Sequence, residues 1–206
     1  MERILDFNTK KVVCSKNGHD LFDMVFTAEN GETFEYTGIN QKPWSVIFAL
    51  KETRISRRTE FDVVVVESFV PFAQKRMMRL PAISFSSKNL GPIKAAAKAL
   101  RKRTGYECDE KNIIPLSPVL MSSTHSETQI YCFLAERCVK REEIVSEFPF
   151  YPTVHWMSFN LWLDMIKLNK IIESSSIMAT HLAMENKPEL YEYRLEYLDN
   201  KKNMRD

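Results

Sequence analysis

The sequence predicts an α+β fold, and three features of the chain indicate it. Four consecutive valines within Phe61–Glu67 (FDVVVVE) are bounded by charged residues, a pattern typical of a strand buried on both faces of a sheet. The dipeptide Asn30-Gly31 separates two short apolar runs and predicts an antiparallel hairpin. From Pro92 onward, apolar residues recur at helical spacing, which predicts a helix that ends at Gly105.

The N-terminal segment is expected to form short strands joined by turns. The runs Met24–Thr27 and Thr33–Tyr36 flank the hairpin dipeptide, and Trp44–Leu50 is a further strand candidate. The charged stretch Lys51–Glu60 predicts a turn before the valine strand. We therefore expect residues 1–58 to form a small antiparallel β subdomain.

The main domain is expected over residues 59–186, followed by a charged tail with several aromatic residues over 187–206. Pro92 suits the first turn of the main helix, because the N–H that proline lacks would have no partner there. Ala96 and Leu100 belong to the apolar face of this helix. The other strands and helices are expected at Ile113–Met121, Gln129–Glu136, Thr153–Met157, Phe159–Leu168 and Ser174–Glu185.

The composition is that of a globular protein with a sizeable core. Of the 206 residues, 44% are hydrophobic and 27% are charged, and the net charge is +2. This charge is too small to favour nucleic acid, so a nucleic-acid site would have to come from local clusters. The chain shows no secretory signal and no run of ~20 apolar residues that would span a bilayer. We expect a cytoplasmic or nuclear protein without membrane contact, with reduced thiols at Cys14, Cys108, Cys132 and Cys138.

The segment 80–106, LPAISFSSKNLGPIKAAAKALRKRTGY, resembles the signature box of Nudix hydrolases. Two further features occur in the order typical of that family's ADP-ribose and nucleoside-diphosphate-sugar pyrophosphatases. The valine strand precedes Ser68-Phe69-Val70-Pro71 and Arg79-Leu80-Pro81-Ala82, and the run 154–183 is similar to that subfamily's final strand and helices. The matching box positions are Pro92, Ala95, Ala96, Leu100, Thr104, Gly105 and Tyr106.

The resemblance implies a Nudix fold, an α/β/α sandwich with a mixed sheet, together with the small N-terminal β subdomain. It also implies that the family's chemistry is lost. Active members hold magnesium with glutamates in the run R-E-L-x-E-E-x-G, and the ions neutralise a pyrophosphate and orient a water molecule. In this chain the box glutamates are replaced by Leu90, Ala99, Lys102 and Arg103. We expect no metal ion, no cofactor and no catalytic residue, with Glu127 as a candidate match to the acidic residue of the family's catalytic loop.

Positive charge stands where the family binds metal, and two interpretations are open. The basic residues of the helix fall along one stripe, which is typical of a solvated face. Alternatively they bind anions directly, because a fixed cation can hold a phosphate although it cannot activate water. The candidate residues for a phosphate-containing ligand or RNA are Lys98, Arg101, Lys102, Arg103 and Arg79.

We therefore expect a catalytically inactive Nudix-like protein that acts as a protein-binding or scaffold module. In the related subfamily the N-terminal β segment commonly packs against a second subunit. The resemblance thus implies a homodimer, with Trp44, Phe34 and Tyr36 as candidate contacts. The sequence names neither the partner protein nor the nucleotide or RNA ligand.

Two alternatives to the scaffold hypothesis are open. One is a divergent metal-dependent nucleoside-diphosphate-sugar pyrophosphatase, in which Glu127, Asp109 and Glu110 are the candidate metal ligands. The other is a sensor that binds ADP-ribose or RNA without turnover, through Lys102 and Arg103.

Overall fold

The structure of the protein, a computed structural model, describes residues 5–28, 30–55, 58–86, 88–122, 125–141 and 152–203. Over these ranges the chain forms a three-stranded sheet, a seven-stranded sheet, a two-stranded pair and four α-helices. The predicted α+β class is confirmed.

The N-terminal sheet consists of β1 (Leu5–Lys16), β2 (His19–Ala28) and β3 (Thr33–Gln41), all antiparallel. The hairpin predicted at Asn30-Gly31 is confirmed, because this dipeptide lies between β2 and β3. Gly31 has a φ of +84°, and its N–H donates to the carbonyl of Ala28 at 2.9 Å. Glycine adopts this left-handed conformation without steric cost. The sheet ends at Gln41, whereas the expected subdomain boundary lies at residue 58.

The strands of the larger sheet are β4 (Trp44–Ile55), β5 (Arg58–Val70), β6 (Lys75–Arg79), β7 (Ala82–Ser84), β9 (Ile113–Ser122), β10 (Ser126–Glu136) and β12 (Thr153–Ser158). Their order is β12-β5-β4-β10-β9, while β6 pairs with β5 and β7 pairs with β4. The sheet is mixed, since β10 runs parallel to β4 and the other pairs are antiparallel. A separate antiparallel pair is formed by β8 (Tyr106–Glu107) and β11 (Val139–Lys140).

The turn predicted over all of Lys51–Glu60 is wrong. Within this stretch β4 and β5 form a hairpin, in which Lys51 lies opposite Asp62 and Arg54 lies opposite Thr59. The backbone hydrogen bonds of the two strands thus continue beyond the apolar core, and the charged side chains on them remain accessible to water.

The larger sheet is buried on both faces. Alternate residues of β4 point to opposite sides, so that Val46, Phe48 and Leu50 join one core cluster while Ile47 and Ala49 join the other. This arrangement explains the run of apolar residues that the sequence shows here.

Helices cover both faces of this sheet. One face packs against α1 (Pro92–Thr104), and the other packs against α2 (Phe159–Lys167), α3 (Ser174–Asn186) and α4 (Glu189–Asn203). The expected α/β/α sandwich with a mixed sheet is confirmed. Within the described ranges, no helix is long and apolar enough to span a bilayer.

The ends of α1 follow from two residues. Pro92 occupies its first turn, and Gly105 ends it with a φ of +72° and an N–H that donates to the carbonyl of Arg101 at 2.8 Å. Ala99 and Leu100 are fully buried, and the small alanine side chains let the helix lie close to the sheet.

The segment expected to be a charged tail is largely helical over its described part. Leu190 of α4 is fully buried, and Tyr193 packs edge-on against Phe61 with ring centroids 5.3 Å apart. Arg194 donates to the carboxylate of Asp164 in α2 at 2.5 Å. Lys201 of α4 also lies 3.2 Å from the carboxylate of Asp164, so apolar, aromatic and ionic contacts together attach α4 to the body.

Candidate functional site

A cleft of about 150 Å³ lies where the ends of several elements meet. The start of β4, the end of β5, the β6–β7 connection and the last turn of α1 all contribute to it. Its lining residues are Trp44, Val66, Ser68, Phe69, Val70, Pro71, Arg79, Leu80, Pro81, Ala82, Arg103 and Pro152.

Arg79 is one of two cations that line this cleft. It ends β6, where its backbone pairs with Val66 of β5, and its Nη2 donates to the hydroxyl of Ser68 at 3.0 Å. Burial lowers the pKa of Arg79; Glu173 opposes this effect, and the positive charge of Arg103 adds to it. The guanidinium therefore lies in surroundings that disfavour its charge, and a bound anion would relieve this.

Arg103 is the second cation of the cleft. It lies in the last turn of α1, where the helix dipole favours a positive charge. The neighbouring Lys102 is exposed and does not line the cleft. Adjacent helical residues point about 100° apart, so only one of the two can face a given cleft.

Lys98 and Arg101 lie on another groove beside α1, of about 560 Å³. This groove is mixed in charge, because Arg101 Nε lies 3.1 Å from a carboxylate oxygen of Glu107 and Arg141 Nε lies 3.6 Å from the other oxygen. The predicted anion-binding set therefore does not converge on one site. The structure brings Arg79 and Arg103 together, places Lys98 and Arg101 elsewhere, and leaves Lys102 outside both linings.

Glu127 lies outside the cleft and forms an ion pair there. It lies near the start of β10, and its carboxylate forms an ion pair with the ammonium group of Lys10 in β1. Asp109 and Glu110 line the larger groove instead, and Asp109 lies 3.5 Å from the ammonium group of Lys111. The three candidate metal ligands of the alternative hypothesis therefore do not surround the cleft.

The described side chains of the cleft do not fit a magnesium site. Magnesium prefers carboxylate oxygens, yet the described residues that line the cleft include two arginines and no carboxylate. Across the described ranges, no group of three or more His, Cys, Asp or Glu side chains is placed to hold a metal ion. Ala99, which the sequence resemblance aligns with a box glutamate, is fully buried against the sheet.

The three aromatic residues expected at a subunit contact lie in two different places. Trp44 lines the cleft, whereas Phe34 and Tyr36 lie on the N-terminal sheet with 40% and 47% of their surfaces exposed. Tyr36 meets the ring of Phe26 edge-on, with centroids 5.7 Å apart.

Sequence reasoning missed two residues that support Arg79. Ser68 is 3% exposed and accepts the hydrogen bond from Arg79. Glu173 caps α3, where its carboxylate accepts the N–H of Ser176 at 2.8 Å, and the hydroxyl of Ser176 accepts the N–H of Leu80 at 2.9 Å. Ser68 was within the segment that resembled the family, but nothing in the local pattern around Glu173 indicates its proximity to β6.

The architecture defines a Nudix-like fold. No protein-family model matches this chain, and no curated protein matches it in sequence. Among solved structures, the chain is similar to the crystal structure of an ADP compounds hydrolase, with a TM-score of 0.69 and 10% sequence identity. The match covers 89% of this chain and 94% of the other. At this identity the similarity establishes the fold and leaves the activity of this chain open.

Proposed function

We propose that this protein is a catalytically inactive Nudix-like binding module whose cleft holds a phosphate-bearing ligand between Arg79 and Arg103. One observation carries the proposal: the described lining of the cleft contains two guanidinium groups and no carboxylate. A planar guanidinium offers several N–H donors in a geometry that matches a phosphate.

The shape of the cleft favours a compact charged group rather than a long polymer. Its volume of about 150 Å³ is smaller than the ~300–1,000 Å³ of a typical pocket that encloses a drug-sized ligand. We therefore place the phosphate in the cleft and the rest of the ligand against Trp44 and Phe69 at its walls. A phosphate-bearing small molecule fits this arrangement better than RNA, because the basic residues expected to bind RNA do not line one shared groove.

The residues that stand where the resemblance places the family's glutamates also explain why no hydrolysis is expected. Cleavage of a pyrophosphate bond by this family needs cations held by carboxylates. Here Ala99 is buried in the helix–sheet contact, Arg103 places positive charge in the cleft, and Glu127 is paired with Lys10. Two arginines stabilise a bound phosphate but do not activate a water molecule.

We also propose that the module forms a homodimer or contacts another protein through its N-terminal sheet. Phe34 and Tyr36 expose large aromatic surfaces on β3, and aromatic residues are enriched in the cores of protein interfaces. Sedimentation of the wild type and of a Phe34→Ser, Tyr36→Ser variant tests this. A dimer that the substitutions dissociate supports a contact between copies through this sheet, whereas a monomeric wild type opposes the homodimer.

The principal experiment measures binding and turnover on the same samples. ADP-ribose, UDP-glucose and inorganic pyrophosphate are titrated calorimetrically with and without magnesium or manganese, and the nucleotides are then recovered by chromatography. We expect binding that needs no metal and a ligand that stays intact after incubation. The double variant Arg79→Gln, Arg103→Gln should lose binding. Lys98→Gln is the matched control, since Lys98 lies on the same helix but outside the cleft.

The alternative function is a divergent metal-dependent pyrophosphatase, which the similarity of fold to an ADP compounds hydrolase favours. It predicts metal-dependent cleavage that Glu127→Gln abolishes. That result would overturn the proposal of an inactive module. Binding of single-stranded RNA, with no binding of the small ligands, would overturn the assignment of a compact phosphate ligand.

A further inference from the structure

Two cysteines meet beside the larger groove. Val139 of β11 pairs with Glu107 of β8, and Lys140 pairs with Tyr106. This antiparallel register, continued by one residue, places Cys108 opposite Cys138. Opposed residues of antiparallel strands have Cα atoms about 4.5–5.5 Å apart, and this falls within the range of about 4.4–6.8 Å that disulfides span.

The thiols of this pair lie near each other, because each shifts the pKa of the other. Cys108 Sγ lies 3.1 Å from the carbonyl oxygen of Glu136. Between β10 and β11, Arg137 adopts a φ of +58°, an uncommon conformation for a residue with a side chain. This sharp turn after β10 directs the chain back so that Cys138 faces Cys108.

The pKa values of the two thiols shift in opposite directions. The hydrogen bond with Cys138 lowers the pKa of Cys108, while the hydrogen bond with Cys108 and burial raise the pKa of Cys138. Cys108 is half-buried and lines the groove of about 560 Å³, so a small reagent can reach it. An accessible thiol with a lowered pKa beside a second thiol is typical of redox-sensitive pairs.

We propose that Cys108 and Cys138 are a modification site at which a peroxide forms a reversible intramolecular disulfide. The Cys108 thiolate attacks one oxygen of hydrogen peroxide, the O–O bond breaks, and the leaving hydroxide takes up a proton as water. This gives a sulfenic acid at Cys108. The sulfur of Cys138 then attacks that of Cys108, the S–O bond breaks, and a second water leaves with the proton of Cys138. Two thiols are oxidised and one peroxide is reduced to two waters.

The other cysteines lack this arrangement. Cys14 is exposed on β1, and Cys132 is 1% exposed in the core, where burial raises its pKa to about 11. They therefore serve as internal references for an accessible thiol and for an inaccessible one.

The test uses the full chain, reduced and then treated with hydrogen peroxide before alkylation with N-ethylmaleimide. We expect the native protein to lose two alkylation sites, and tryptic digestion to yield peptide 104–111 linked to peptide 138–140. Dithiothreitol should restore both sites. Cys14→Ser should leave the linkage unchanged, whereas Cys108→Ser and Cys138→Ser should each abolish it.

The order of events gives a second readout. In Cys138→Ser, dimedone should trap a sulfenic acid at Cys108, while Cys108→Ser should leave Cys138 unmodified. Linkage through Cys14 or Cys132, or sulfenic acid first at Cys138, would overturn the proposal. Equal rates of linkage in native and urea-unfolded wild type would also overturn it, and this comparison does not depend on how the variants fold.

Discussion

Replacing Gly38 by alanine should destabilise the junction between the N-terminal sheet and the body. Gly38 lies opposite Phe22, which is 2% exposed. A Cβ at Gly38 would lie 2.6 Å from Phe22 Cζ, 2.8 Å from its Cε2 and 3.1 Å from the carbonyl oxygen of His125. That carbonyl also accepts the N–H of Ile39 at 2.8 Å. The added methyl group must therefore displace either the aromatic ring or the backbone contact that joins β3 to the turn before β10.

The size of the effect follows from overpacking. Extra methyl groups in a packed site typically cost about 1–3 kcal/mol. In a chain of 206 residues, each kcal/mol lowers the melting temperature by about 2–4 °C, so Gly38→Ala should lower it by about 2–12 °C. Replacing the ring with the smaller side chain in Phe22→Leu should relieve the clash. The double variant should therefore lose about 0.5–3 kcal/mol less unfolding free energy than the two single variants lose together.

Urea and thermal unfolding of the four proteins measure this coupling. Gly91→Ala is the matched control, because no heavy atom lies within 4 Å of a Cβ built there. Because Gly91 is the residue before α1, this change should lower the free energy of unfolding by less than about 1 kcal/mol. It should show no coupling to Phe22→Leu. Wild-type stability in Gly38→Ala, or strict additivity with Phe22→Leu, would refute the predicted clash.

Three further predictions concern the cleft, the attachment of α4 and the core. Arg103→Gln should weaken calorimetric binding of pyrophosphate about 10- to 150-fold, the equivalent of one charge-assisted hydrogen bond, whereas an equal loss in Lys98→Gln would count against the cleft. Arg194→Met should lower the free energy of unfolding by about 1–3 kcal/mol at pH 7. Burial disfavours the charged form of Asp164. Hydrogen bonds from Arg194 and Lys201 outweigh this effect and lower the pKa of Asp164 below its ordinary value of 3.8. The ion pair therefore stabilises the fold above about pH 4 and less as the pH falls through the lowered pKa, so urea unfolding should show a smaller difference between wild type and variant near pH 2–3. Trp162→Phe should cost about 1–3 kcal/mol in thermal unfolding, because the fully buried indole N–H donates to a buried threonine hydroxyl at 2.9 Å; a melting temperature equal to that of the wild type would contradict this.

Local chemistry made several elements predictable. Pro92 and Gly105 set the ends of α1 through a missing N–H and a left-handed backbone, and Asn30-Gly31 set a hairpin for the same conformational reason. The valine run indicated a strand covered on both faces, which β5 is. The prediction of a turn over Lys51–Glu60 was wrong, because a run of charged residues indicates exposure to water and does not exclude strand pairing.

The sequence by itself determined the α+β class, the limits of α1 and the positive charge that α1 carries. Only the tertiary structure decided which of those charges meet. Arg79 and Arg103 share a cleft because β6 pairs with β5 while α1 crosses the same sheet, whereas Lys102, one residue away, points elsewhere. The pairing of Cys108 with Cys138 likewise depends on the register of two short strands. Contacts between residues distant in sequence depend on how the elements pack, and local sequence patterns specify the elements without specifying that packing.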